Sequence, residues 1–128
     1  MRLLLDTHVF MWAITGDPRL SADASRTFTN PNNEVLLSVA SVWEIVVKAA
    51  AGKLPFPRPV SSNLRAELKK TSTAVLPMLL QHALQVEKLP LHHRDPFDRI
   101  ILAQAIEEKI PVVSNDQKFR LYPVQLLW

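Results

Sequence analysis

Short continuous apolar runs alternate along this chain with longer stretches in which apolar positions recur every three or four residues. RLLLD (2–6) and EVLLS (34–38) are apolar runs closed by polar residues, the pattern of strands covered on both faces. HVFMWAI has helical spacing until Gly16, Asp17 and Pro18 break it, and Ser21 stands as the N-cap of a second helix, SADASRTFTN, before the turn-rich NPNN. Ser41 opens SVWEIVVKAAAG as a third helix, with Glu44 placed to complete a capping box and Gly52 as a stop. Prolines 55, 57 and 59 make KLPFPRP a loop. Helices near 61–71 and 78–88 surround a short strand, TAVLP, and the loop LPLHHRD leads into a helix from Pro96 to about Glu108. PVVS (111–114) reads as a strand, NDQKF as a turn or short helix, and PVQLLW as a last strand. There is no internal repeat, linker or low-complexity segment. The alternation predicts one α/β domain over residues 1–128, with a mostly parallel central sheet between layers of helices.

Composition narrows the chemistry. With 128 residues, of which 48% are hydrophobic, the chain can bury a sizeable core, which excludes disordered and fibrous classes. It has no cysteine, so disulfide frameworks and thiolate zinc sites are excluded, and a reducing compartment fits. Only Gly16 and Gly52 are glycines, too few for a P-loop, a GxGxxG turn or a GxSxG elbow. Asp6 and His8 interrupt the apolar start MRLLLDTHVFMW, and no later run approaches a membrane span, so a cytoplasmic protein is expected. The net charge is +3, and the excess lies in residues 48–70, where Lys48, Lys53, Arg58, Arg65, Lys69 and Lys70 face Glu67 alone. Such a stripe suits a polyanion, most commonly nucleic acid, or equally a solvated helix face.

The acids carry the functional argument. Asp6 ends the first strand, Glu44 lies in the helix after the second, Asp98 opens a later helix, and Asp116 lies two residues beyond PVVS. In an open parallel sheet, positions just past the strand ends and in the first turns of the following helices gather along one edge, where such folds bind ligands. Each acid also has a plain alternative. Glu44 and Asp98 could complete capping boxes with Ser41 and Asp95, and Asp116 could cap a short helix. Asp6 is harder to explain as packing, because a carboxylate at the end of a buried strand needs a partner for its charge. Four carboxylates at one edge repel one another unless a cation joins them. Oxygen ligands without cysteine favour Mg²⁺ or Mn²⁺ over zinc, and such a site suits phosphodiester hydrolysis. Zinc held by His92 and His93 with Asp95 and Asp98 lacks any known structural spacing.

LLLDTH, SVWEIVVK, HHRDPFDRIILAQA and VVSNDQKF, in this order and at these separations, resemble the PIN-domain ribonucleases and, among them, the VapC toxins of toxin–antitoxin pairs. The likeness runs from Met1 to Trp128. It implies the three-layer PIN-like fold, with Asp6, Glu44 and Asp98 matching the core metal-binding acids and Asp116 the fourth. It also implies cleavage of RNA with Mg²⁺ or Mn²⁺, a homodimer, and silencing by a cognate antitoxin seated in the active-site groove. Thr7, beside Asp6, would orient a carboxylate or a phosphate through its hydroxyl. Arg94 and Arg99, flanking Asp98, would contact RNA phosphates or pair with nearby acids, Asp95 serves as an N-cap, and His8 is expected to be buried at the strand-to-helix junction. One position departs from the pattern: Lys118 stands where many members carry a further acid, so one ion, or a second site filled only with substrate present, is expected.

Two other functions remain open on sequence. A catalytically silent module would keep the fold and the basic surface and bind RNA or protein without cutting, and a single-strand DNA nuclease would share the site. The first would bind RNA with steep salt dependence and no need for a divalent ion.

Overall fold

In a computed structural model, residues 1–128 are all described. The chain forms β1 (Arg2–Leu5), α1 (Thr7–Thr15), α2 (Ala22–Thr29), β2 (Glu34–Ser38), α3 (Val39–Ala50), α4 (Val60–Lys70), β3 (Ala74–Leu76), α5 (Leu80–Gln85), α6 (Pro96–Glu108), β4 (Val112–Val113) and β5 (Leu126–Leu127). Two 3-10 turns, Val86–Lys88 and Gln117–Leu121, complete it. The sheet order is β3-β2-β1-β4-β5. Every pairing is parallel, with Leu5 opposite both Leu37 and Val113, so the expectation of a mostly parallel sheet sharpens to a wholly parallel one.

Alternation along the strands sorts the core into two layers. Leu4, Leu36 and Val112 pack with Ile101, Leu102 and Ala105 of α6 on one face. Leu3, Leu5, Val35, Leu37 and Val113 pack with Val9 and Phe10 of α1, Ile45 of α3 and Leu64 of α4 on the other. Leu4 is fully buried, so Leu4→Ala is expected to cost about 2–5 kcal/mol of stability. No helix is long and apolar enough to cross a membrane.

Several caps match the sequence reading. Ser21 Oγ accepts from the Ala24 N–H, and Gly16 closes α1 at φ 66°, where a Cβ would be strained. One cap does not match. The chain passes from β2 into α3 without a loop, and Ser38, the last strand residue, caps the helix by accepting from the Ala40 N–H at 3.0 Å. Ser41 is therefore inside α3, and the Ser41–Glu44 capping box does not form; Ser41 Oγ instead accepts from Thr7 Oγ1 at 2.8 Å. Glu44 is left without a capping role.

Candidate active site

The sheet order reverses direction beside β1: the chain builds outward through β2 and β3 on one side and through β4 and β5 on the other. Such a switch point leaves a crevice at the carboxyl ends of the strands flanking it, here β1 and β4. Asp6 follows β1 directly, still extended at φ −63° and ψ 146°. By alternation its side chain falls on the Leu4 side, toward α6. Across the crevice Ser114, the first residue after β4, donates its hydroxyl to Asp6 Oδ2 at 2.7 Å and accepts the Asp116 N–H at 3.0 Å. One serine thus ties the ends of both strands together.

The other acids arrive from helices. Asp95 caps α6 by accepting from the N–H groups of Phe97 at 2.8 Å and Asp98 at 3.3 Å, with Pro96 as the first helical residue. Asp98 does not reach back to the cap; the Asp95 N–H is taken by His93 Nδ1 at 3.2 Å. Asp98 instead meets His93 Nε2 at 3.1 Å, and the same nitrogen lies 2.8 Å from Asp116 Oδ2. Ligating atoms of His93, Asp98 and Asp116 all lie within 4.8 Å of one another. Glu44, turned inward from α3, is 3% exposed and offers Oε2 to Lys48 Nζ at 2.5 Å.

Electrostatics joins Asp6 and Glu44 to this group. Burial pushes the Asp6 carboxyl above its ordinary value, against the opposing hydrogen bond from Ser114, and the charges of Asp116 and Glu44 push the same way. Burial is also the main cause that lifts Asp98 to about 8, followed by the charges of Asp6, Asp95, Glu44 and Asp116. The charges of Glu44 and Asp116 therefore reach both Asp6 and Asp98. Asp6 Oδ1 and Glu44 Oε1 are buried with no hydrogen-bond partner at all, a costly arrangement for a carboxylate. Buried, unpartnered carboxylate oxygens beside further acids fit a hard divalent cation, and the His93 imidazole is the one borderline donor among them.

Other sequence expectations need correction. The Thr7 hydroxyl donates to Ser41 and joins α1 to α3, so it does not orient Asp6; Ser114 does. The Arg99 guanidinium is taken up by four backbone carbonyls, those of Val86, Leu89, Pro90 and His93, at 3.1–3.3 Å. It organises the loop before α6, and both of its terminal nitrogens are spent there rather than on phosphate. Arg94 is exposed on that loop. His8 is exposed as well and leans toward Trp12, because α1 begins at Thr7 and turns position 8 away from the core. Of the basic stripe, Lys48 stands at the acids, whereas Lys70 lines a pocket with Asn30 and Asn33, which precede β2 at the other end of the sheet.

Sequence reasoning missed His93, Ser114 and Lys48. Lys48 carried a signal, the Glu44–Lys48 spacing of four along one helix. Ser114 and His93 carried none, since their partners are remote in the chain: Asp6 lies 108 residues from Ser114.

A model of the PIN domain matches residues 3–124. The chain belongs to the PIN-domain family. Ribonuclease VapC16 of Mycobacterium tuberculosis is 39% identical over 70 residues, a segment spanning 52% of this chain and 48% of that relative. Among solved structures, VapBC2 from Rickettsia felis, bound to a DNA fragment from its promoter, superposes with a TM-score of 0.72 at 18% identity, covering 98% of this chain and 97% of that one. VapBC-1 from nontypeable Haemophilus influenzae superposes at 0.67 with 20% identity, covering 98% and 96%. At such identities these two speak for the fold of this PIN domain, and the acid crevice described above lies within its matched residues.

Proposed function

We propose that this PIN domain is a Mg²⁺- or Mn²⁺-dependent endoribonuclease of the VapC toxin type. The observation that carries the reading is the pair of buried, unpartnered oxygens, Asp6 Oδ1 and Glu44 Oε1, facing an edge that also holds Asp98 and Asp116. Asp6, Glu44, Asp98 and Asp116 would hold the ion. When bound, the ion draws charge from the scissile phosphate and makes water a better nucleophile at neutral pH. Ser114 fixes the rotation of the Asp6 carboxylate, leaving Oδ1 free. Asp95 caps α6 and so spares Asp98 for the crevice. Lys48 sets a positive charge at the crevice rim, where an RNA backbone would pass, and Arg94 is an exposed second candidate for phosphate contact.

An antitoxin partner belongs to the same reading, supported by the fold shared with the VapBC structures. A homodimer is supported by the exposed apolar residues Val39 and Trp43 on α3 and Met78 beyond β3. The cytoplasm is the expected compartment of a chain without cysteine.

The test is cleavage of RNA and of single-stranded DNA with Mg²⁺ or Mn²⁺, with and without EDTA. The reading requires RNA to be cut, chelator to stop it, and Asp98→Asn to stop it without unfolding. Wild-type rates from Asp98→Asn would overturn it. One observation favours the silent module: both Asp116 oxygens are already engaged, Oδ1 by the Lys118 N–H and Oδ2 by His93. Calorimetric titration with Mn²⁺ separates the two, because a silent module shows no saturable heat.

A further inference from the structure

His93 is buried and touches two of the four acids, yet neither the capping pattern nor the acid pattern gives it a role. Its surroundings fix its chemistry. The backbone N–H of Asp95 points at Nδ1 at 3.2 Å, so Nδ1 must be an acceptor there. A neutral imidazole accepting at Nδ1 carries its proton on Nε2, and Nε2 is the atom that faces Asp116 Oδ2 at 2.8 Å and Asp98 Oδ2 at 3.1 Å. The reverse tautomer would set two N–H groups against each other on one side and leave a lone pair facing two carboxylates on the other.

The backbone around the ring is held as firmly. The His93 N–H donates to Tyr122 Oη at 2.7 Å, and that hydroxyl donates onward to Pro90 at 2.6 Å. The His93 carbonyl accepts from Arg99 at 3.1 Å, and the ring packs edge-on against Phe119 at 5.6 Å. Phe119 and Tyr122 follow Asp116, whereas Arg99 follows Asp98. The loop carrying His93 is therefore clamped by both elements that supply the acids it touches.

We propose that His93 is a positioning residue for the metal site: its Nε2–H bridges Asp98 and Asp116, holds the two carboxylates in register against their repulsion, and is not itself a metal ligand. This rests on the reading of the four acids as ion ligands. Positioning partners of this kind typically change metal affinity about 10–100-fold when removed.

The experiment has two arms, neither of which needs RNA cleavage. In the first, long-range ¹H–¹⁵N correlation spectra of the ¹⁵N-labelled wild-type protein report the His93 ring, in EDTA and then with Mg²⁺. The expected result is the Nε2–H tautomer in both. An Nδ1–H tautomer, or loss of the Nε2 proton on adding Mg²⁺, overturns the proposal. In the second, Mn²⁺ binding is measured by calorimetry for the wild type, His93→Leu and His93→Gln. Glutamine can present an amide N–H at the reach of Nε2, whereas leucine cannot. Mn²⁺ affinity should fall about 10–100-fold in His93→Leu and stay near wild type in His93→Gln. Equal loss in both variants would mark His93 as a ligand, no loss in either would mark it as packing only, and both overturn the positioning role. If the leucine variant does not fold, the tautomer and the glutamine variant still decide. If the wild type takes up no Mn²⁺, the ribonuclease reading fails, while the EDTA spectrum still accepts or rejects the bridge.

Discussion

Two regions of the molecule are built from the same pair of helices and differ in almost everything else. Glu44 and Asp98 turn inward from α3 and α6 to the acid crevice. Their neighbours Trp43 and Phe97 turn outward and line an apolar groove of about 400 Å³ with Val39, Met78 and Ile100. A step of one residue along a helix rotates the side chain by about 100°, which suffices to separate carboxylates from an aromatic pair. Each region is incomplete in its own way. The crevice holds carboxylates that have given up water and gained partners for only some of their oxygens, while the groove holds apolar surface that has kept its water: Trp43 is 61% exposed despite meeting Phe97 edge-on at 5.2 Å. The difference teaches that the crevice is costly to the folded chain and the groove is nearly neutral to it. Damage to the first should change activity and stability in opposite directions; damage to the second should change neither much.

The largest expected effect is on activity at the crevice. Asp98→Asn should lower RNA cleavage by more than about 100-fold, measured on a defined RNA with Mn²⁺. The same substitution should raise the melting temperature in EDTA at pH 8, since it removes a charge that the fold holds at a cost. A melting temperature that falls with activity would erase the contrast between the regions.

The next effect is a dependence on pH. In the fold the Asp98 carboxyl is lifted from the ordinary 3.8 to about 8, so the native state holds a proton that the unfolded chain releases. Its contribution to stability is complete below the lower value and is lost as pH rises toward the higher one. Thermal melts in EDTA should therefore show stability declining from about pH 5 to pH 8, with Asp98→Asn flattening that decline and saturating Mn²⁺ restoring stability most at the alkaline end. A decline of equal slope in Asp98→Asn would place its cause elsewhere.

The smallest effect belongs to the groove. Trp43→Ala loses one aromatic pair and should cost about 0.5–1.5 kcal/mol by urea denaturation. Cleavage by the variant should stay within about threefold of wild type, well short of the tenfold that 1.4 kcal/mol represents. A larger loss would mean that the groove supports the crevice from behind.

Much of this layout was legible in the chain because it rests on local rules. The strand EVLLS and the helix from Pro96 to Glu108 lie where apolar runs and caps put them, and the carboxyl-edge rule brought Asp6, Glu44, Asp98 and Asp116 to one side of the sheet. The failures share a physical cause. Ser41 and Glu44 form a good local capping pattern, but Ser38 at the strand end already caps the helix, and Ser41 is drawn into a bond with Thr7, 34 residues away. Arg99 reads as a phosphate ligand only if the carbonyls of a remote loop are out of sight. His93 and Ser114 act through partners that no window of neighbouring residues contains.

The hydrogen bond from Ser114 to Asp6 joins residues 108 positions apart in the sequence. A ribosome delivers Asp6 well before Ser114, and β1 cannot be flanked on its second side until β4 has emerged. A nascent chain thus carries Asp6 through 108 further residues before its partner Ser114 exists, and the acid crevice cannot assemble before then.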